Sequence, residues 1–240
     1  MNKVDINVVE LSKQDNSGLK QSSLKLDIHG GSINSSFINS LRRIVLLYIP
    51  TYAFCKASIE ITENTSVLNN DYMRLRLEQF TYPNLKNNIV FLPEKYWKNV
   101  SYSNIKRDRH PDDKTNIEYI INVTNNQKNT INVTTEDMVI YEDGEKIQGK
   151  FSQEFPMLVV QLKEGQSFKC RARCVLGLGI ANDIWAGASN VFFDELEEGK
   201  YKFTIESQGQ MDEYELLKKA CIIMMDKMEK LKNYFKEMFK

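Results

Sequence analysis

Four cysteines and two histidines are the side chains of this 240-residue chain best suited to metal binding or nucleophilic attack. Cys170 and Cys174 stand four apart on a predicted strand. At a rise of ~3.3 Å per residue, that spacing puts them on one face about 13 Å apart. Two thiols so placed cannot share an ion without a bend, and a tetrahedral site asks for four close ligands. Cys55 and Cys221 are remote in sequence, so no metal and no other cofactor is expected. His29 ends a strand before Gly30-Gly31, and His110-Pro111 falls in a polar loop. Neither histidine has a cysteine or serine partner at a recognisable spacing. Gly177-x-Gly179 lacks the third glycine and the following helix of a dinucleotide fingerprint, and reads as a flexible turn. No catalytic residue is assigned. What remains is recognition chemistry: Arg42 and Arg43 are adjacent guanidinium groups able to bind carboxylates in bidentate forks.

The arginines ride on a predicted helix over 34–49. Asn34, Ser35 or Ser36 caps it by accepting a bond from a free backbone N–H. Phe37, Leu41, Ile44 and Tyr48 form one apolar stripe, with Arg42 and Arg43 off it. Pro50 ends the helix by pushing the preceding residue out of helical geometry. A second, longer helix closes the sequence. Asp212 and Glu215 start it in the manner of a capping box. Leu217, Cys221, Met224, Met228, Leu231, Phe235 and Met238 then alternate at spacings of four and three, the period of a packing seam.

Between and before these helices the pattern is of strands. Alternation over 4–11 and again at Leu24, Leu26 and Ile28 predicts a hairpin with a long loop around Asp15-Asn16-Ser17-Gly18. Ile117, Tyr119, Ile121 and Val123 predict a strand that pairs as a hairpin with Ile131 and Val133. Residues 158–162 read as a buried strand, 163–166 as a turn and 168–175 as a further strand. Val191 to Phe193, and Tyr201, Phe203 and Ile205, flank the turn Glu197-Glu198-Gly199. Residues 106–114 read as a charged exposed loop.

Composition bounds the rest. A length of 240 residues suits one large domain or two small ones, and 42% hydrophobic residues suits a folded core. Thirty-two basic and 32 acidic residues cancel, which disfavours a dedicated nucleic-acid binder. No apolar run approaches the ~18 residues of a membrane span. The N-terminus has no secretory core, and the scattered cysteines suit a reducing compartment, so an intracellular protein is expected.

Asn39-Ser40-Leu41-Arg42-Arg43-Ile44 with Ile49-Pro50-Thr51 resembles the assembly motif of alpha-like subunits of multisubunit DNA-dependent RNA polymerase. The nearest kind is the third-largest eukaryotic subunit and its archaeal D-type counterpart. Glu63-Asn64-Thr65-Ser66-Val67-Leu68 and Arg76-Leu77 are similar to a second block of that family, although Leu75 stands where a histidine is usual. Leu162-Lys163-Glu164-Gly165-Gln166 resembles a third. Gly177, Gly179 and Trp185 resemble a fourth, of whose His-Ala-Lys-Trp only the tryptophan is kept. Residues 203–209 with the last helix resemble the family's closing strand, turn and helix. Residues 82–117 match nothing.

The resemblance implies an α+β fold: a discontinuous dimerisation domain at 1–50 and 190–240, made of an antiparallel sheet plus two helices, with an inserted β-rich domain at 51–189. It implies a non-catalytic scaffold that pairs with a smaller alpha-like subunit and docks two large catalytic subunits, with little or no direct DNA contact. The dimer interface would be Phe37, Leu41, Ile44, Tyr48, Leu217, Cys221, Met224, Met228, Leu231 and Phe235, and Arg42 and Arg43 would meet a large subunit. The alternatives are a homodimer of bacterial alpha type, disfavoured by the 63–68 block, and an unrelated α+β enzyme with a site at the domain junction. The Asn-, Lys- and Ile-rich composition fits a divergent lineage. Viral transcription is the expected setting, in the nucleus or cytoplasm of a host or in a virion.

Overall fold

The computed structural model describes residues 5–16, 19–85, 88–98, 109–148, 151 and 156–239. The protein is α+β, with three α-helices among those residues and antiparallel sheets. It divides into two compact units. One comprises Met1–Thr51, Asn84–Leu92 and Leu178–Lys240, the other Tyr52–Pro83 and Pro93–Gly177. Against the expected boundaries at 1–50 and 190–240, the first unit also takes 84–92 and resumes at Leu178.

The first unit is built on a four-stranded sheet. Its strands are β1 (Asp5–Asn16), β2 (Leu19–His29), β12 (Ala188–Glu197) and β13 (Lys200–Ser207), in the order β1-β2-β13-β12. The register puts Phe203 opposite Leu26, Ile205 opposite Leu24 and Tyr201 opposite Ile28. Side chains two apart on a strand share a face, so all six lie together and all are buried. Helices α1 (Ser35–Leu47) and α3 (Glu213–Met238) complete the core with Ile38, Val45, Leu216, Ala220 and Ile223. Each of these side chains except Ala220 stabilises the fold by roughly 1.5–3 kcal/mol.

The expected long loop between β1 and β2 is not there. Asn16 pairs with Leu19, so the ladder runs on through the polar stretch. Backbone hydrogen bonds make an antiparallel ladder, and they do not need apolar side chains to continue it. Val4, Ser17 and Gly18 lie outside the described residues.

The second unit holds a five-stranded sheet of β4 (Ile59–Asn64), β5 (Ile117–Thr124), β7 (Met138–Glu142), β8 (Glu145–Ile147) and β10 (Ser167–Arg173), in the order β4-β10-β5-β7-β8. Beside it lie a ladder of β6 (Ile131–Thr134) with β9 (Leu158–Leu162) and helix α2 (Asn70–Leu77). The expected hairpin of β5 with β6 is therefore wrong: β5 sits between β10 and β7, and β6 pairs with β9. The cause is Asn125. Its buried amide nitrogen donates to the carbonyls of Asn129 and Leu162, and its backbone exchanges bonds with Gln166 and Gly165. The chain is thus turned toward β9 instead of back along β5. A last ladder joins β3 (Pro50–Ala53) with β11 (Val175–Leu178).

Candidate assembly interface

Helix α1 begins where a polar side chain can replace the missing backbone partners. Asn34 Oδ1 accepts from the Phe37 N–H at 2.9 Å. The helix then divides the expected interface residues into two groups. Leu41 and Ile44 are 4% and 5% exposed and belong to the chain's own core with Ile38 and Val45. The core stripe is centred on Ile38, Leu41 and Val45, so the predicted stripe lies on its edge. Phe37 is exposed, and Tyr48 is half-buried against the core. Arg42 is half-buried, and its Nε donates to Asn39 Oδ1 at 3.0 Å. Arg43 is exposed, with no ion pair among the described residues.

Helix α3 starts at Asp212, whose side chain accepts from the Glu215 N–H at 2.7 Å. Its first turns point Leu216, Ala220 and Ile223 into the core, with Leu217 and Met224 at the margin. Lys219 is buried with them. Its ammonium lies 3.3 Å from Met211 Sδ and 3.5 Å from a Glu215 oxygen. Burial lowers its pKa, and the Glu215 charge opposes that.

Beyond Met224 no described residue of α3 is buried. Cys221, Met228, Leu231 and Phe235, all expected at the interface, are exposed. Sequence reasoning missed their neighbours Met225 and Phe239, which are 72% and 82% exposed, and Tyr214. Their signal was available: they continue a four-and-three repeat displaced outward from the one chosen. Phe235 and Phe239 stack with ring centroids 6.4 Å apart.

Asn84, Leu85 and Phe91, in a stretch that resembled nothing, help position this helix. The N–H groups of Asn84 and Leu85 donate to the carbonyls of Gly209 and Gln210, just before α3. Lys230 Nζ lies 3.9 Å from the Phe91 ring centroid, and Lys227 Nζ lies 3.3 Å from that of Tyr48. Such cation–π contacts contribute about 0.5–2 kcal/mol. Burial lowers the pKa of Lys227, and the Arg43 charge adds to the effect.

The sequence blocks that carried the resemblance are structural joints. Thr51 Oγ1 donates to the Trp185 carbonyl at 2.6 Å, and Trp185 is fully buried. A Cβ on Gly179 would lie 2.5 Å from the Leu46 carbonyl oxygen at the end of α1. Gly179 is thus a close-packing position and not the flexible turn expected. In the second unit, the Thr65 N–H donates to the Ser167 carbonyl at 3.0 Å, Ser167 N–H donates to Thr65 Oγ1 at 2.7 Å, and Gln166 Nε2 donates to the Thr65 carbonyl at 2.7 Å. Glu63 pairs with Lys169 at 2.6 Å, and hydrogen bonds from Lys169 and Ser167 hold its carboxyl below the usual range. In α2, Arg76 donates to the Leu158 carbonyl at 3.0 Å, and Leu75 is exposed.

The cysteines lie elsewhere than expected. β10 ends at Arg173, so Cys174 is off the strand that holds Cys170. Burial pushes the Cys170 thiol up to about 12 and that of Cys174 well above its ordinary value. Among the described residues no group of three or more His, Cys, Asp or Glu could hold a metal ion. His29 stands 3.9 Å from Asp5, and His110 packs edge-on against Tyr96. No described helix is long and apolar enough to cross a membrane.

Comparison with known proteins bears on these features. The model of the RNA polymerase Rpb3/Rpb11 dimerisation domain matches residues 32–228. A putative DNA-directed RNA polymerase subunit of Acanthamoeba polyphaga mimivirus is 28% identical over 232 residues, which cover 88% of this chain. The chain spans 64% of the length of that relative. Subunit Rpo3 of the DNA-directed RNA polymerase of Methanocaldococcus jannaschii is 23% identical over 198 residues, covering 81% of this chain and 82% of the relative.

Proposed function

This chain belongs to the RNA polymerase Rpb3/Rpb11 dimerisation-domain family, and from that premise we propose that it is a non-catalytic assembly subunit of a DNA-directed RNA polymerase. It pairs through α1 and α3 with a smaller alpha-like subunit, and the pair docks the two large catalytic subunits. The observation that carries this reading is the exposed apolar surface of α3 beyond Met224. Burying such side chains against a partner contributes roughly 1.5–3 kcal/mol each. Met228, Leu231 and Phe235 form its centre, with Phe37, Tyr48 and Cys221 beside them and Leu217 and Met224 at its margin. Leu41 and Ile44 support it from within the core. Arg42 and Arg43, off the core-facing side of α1, meet carboxylates of a large subunit. The mimivirus relative supports transcription of a large DNA virus as the setting.

Co-expression with the smaller alpha-like subunit of the same source, followed by size exclusion and mass spectrometry, tests this. A stable heterodimer that captures the large subunits is expected. A chain that, with that subunit co-expressed, still elutes without it would overturn the proposal.

A further inference from the structure

From residue 214 to 239, the positions of α3 and its C-cap Phe239 at alternating spacings of four and three are all exposed. Six are Tyr214, Cys221, Met225, Met228, Phe235 and Phe239. The two remaining positions are Lys218 and Lys232, two heptads apart and within the stripe itself. Neither lysine has an ion pair among the described residues, whereas Lys219 and Lys230 on the same helix pair with Glu215 and Asp226. A charged residue in a packing seam costs stability and in return fixes register and partner.

The consequence for self-association does not depend on register. Two parallel copies would oppose Lys218 to Lys218. Two antiparallel copies centred on Met225 would oppose Lys218 to Lys232. Other registers oppose lysine to lysine again or set an ammonium against Cys221, methionine or aromatic carbon, where an unpaired charge is costly. We propose that Lys218 and Lys232 make this surface heterotypic: they exclude a second copy of the chain and select a partner helix that presents carboxylates two heptads apart. This rests on the reading of α3 as the pairing helix.

Full-length variants test it by sedimentation velocity. K218M/K232M should self-associate about tenfold or more tightly than the unchanged chain, since an apolar seam replaces a charged one. K218E/K232E mixed with the unchanged chain should associate about tenfold more tightly than either alone. That gain should shrink at about 0.5 M NaCl. A methionine variant that self-associates no better, or a mixture no tighter than its components, overturns the inference. The co-expressed smaller subunit separates the two levels. If it pairs with the unchanged chain and equally with K218E/K232E, only the lysine assignment falls. If it does not pair with the unchanged chain, the assembly reading falls.

Discussion

Residues 213–224 of α3 turn Leu216, Ala220 and Ile223 into the core over β2 and β13, while residues 225–239 turn Met225, Met228, Leu231 and Phe235 into open space. Both stretches repeat at the same period. The difference is one of cover: the buried side chains of the helix stop at Met224, although its 26 residues run for about 39 Å. Periodicity therefore declares that a helix face needs cover, and the burial along it shows how much of that cover the chain supplies itself.

The sharpest way to break this contrast is Leu231→Asp. A carboxylate placed where a partner must exclude water removes roughly 1.5–3 kcal/mol of burial and adds a desolvation cost of several kcal/mol. Pairing with the smaller alpha-like subunit should vanish on size exclusion, while the urea midpoint of the isolated chain stays put. A retained heterodimer would refute the assignment of the outer half. The inner half should respond the other way. Leu216→Ala should lower stability to urea by about 2–5 kcal/mol, because it opens a cavity in the core. An unchanged midpoint would erase the distinction between the halves.

A third comparison sets α1 against α3. Changing Arg42 and Arg43 together to Ala should leave the alpha-like pair intact and weaken capture of the large subunits by about 1.5–3 kcal/mol per arginine. Full recovery of those subunits at ordinary salt would mean both guanidinium groups are merely solvated. The smallest effect is expected at Gly179→Ala. The added Cβ must displace the end of α1, at about 1–3 kcal/mol by thermal or urea melt. A neutral result would show that the α1 terminus yields freely.

What the sequence disclosed was local. Asn34 and Asp212 as caps, the alternation at Tyr201, Phe203 and Ile205, and the seam over Met228, Leu231 and Phe235 each depend on residues within a few turns of one another. What it hid was pairing at a distance. The partner of β5 was misjudged because the buried amide of Asn125 answers to Leu162, 37 positions away. Gly179 passed for a flexible turn because the carbonyl it approaches belongs to Leu46. Asn84, Leu85 and Phe91 carried no pattern, since the first two bond to Gly209 and Gln210 and the third lies beneath Lys230. On α3 the predicted stripe runs from the core margin at Leu217 and Met224 to exposed Met228, Leu231 and Phe235, because spacing alone does not say where the chain's own cover ends.

The order β1-β2-β13-β12 also imposes a timetable on synthesis. Strand β2 waits for β13, and roughly 170 residues separate them, about 10–30 s of translation at ~5–20 residues per second. Until then Leu24, Leu26 and Ile28 have no strand β13 and no helix α3 to cover them, and one edge of β2 offers unpaired backbone groups. The second unit, encoded wholly in between, has that interval in which to fold. The apolar surface of α3 comes later still, so the proposed pairing face is incomplete until the chain's own sheet can close.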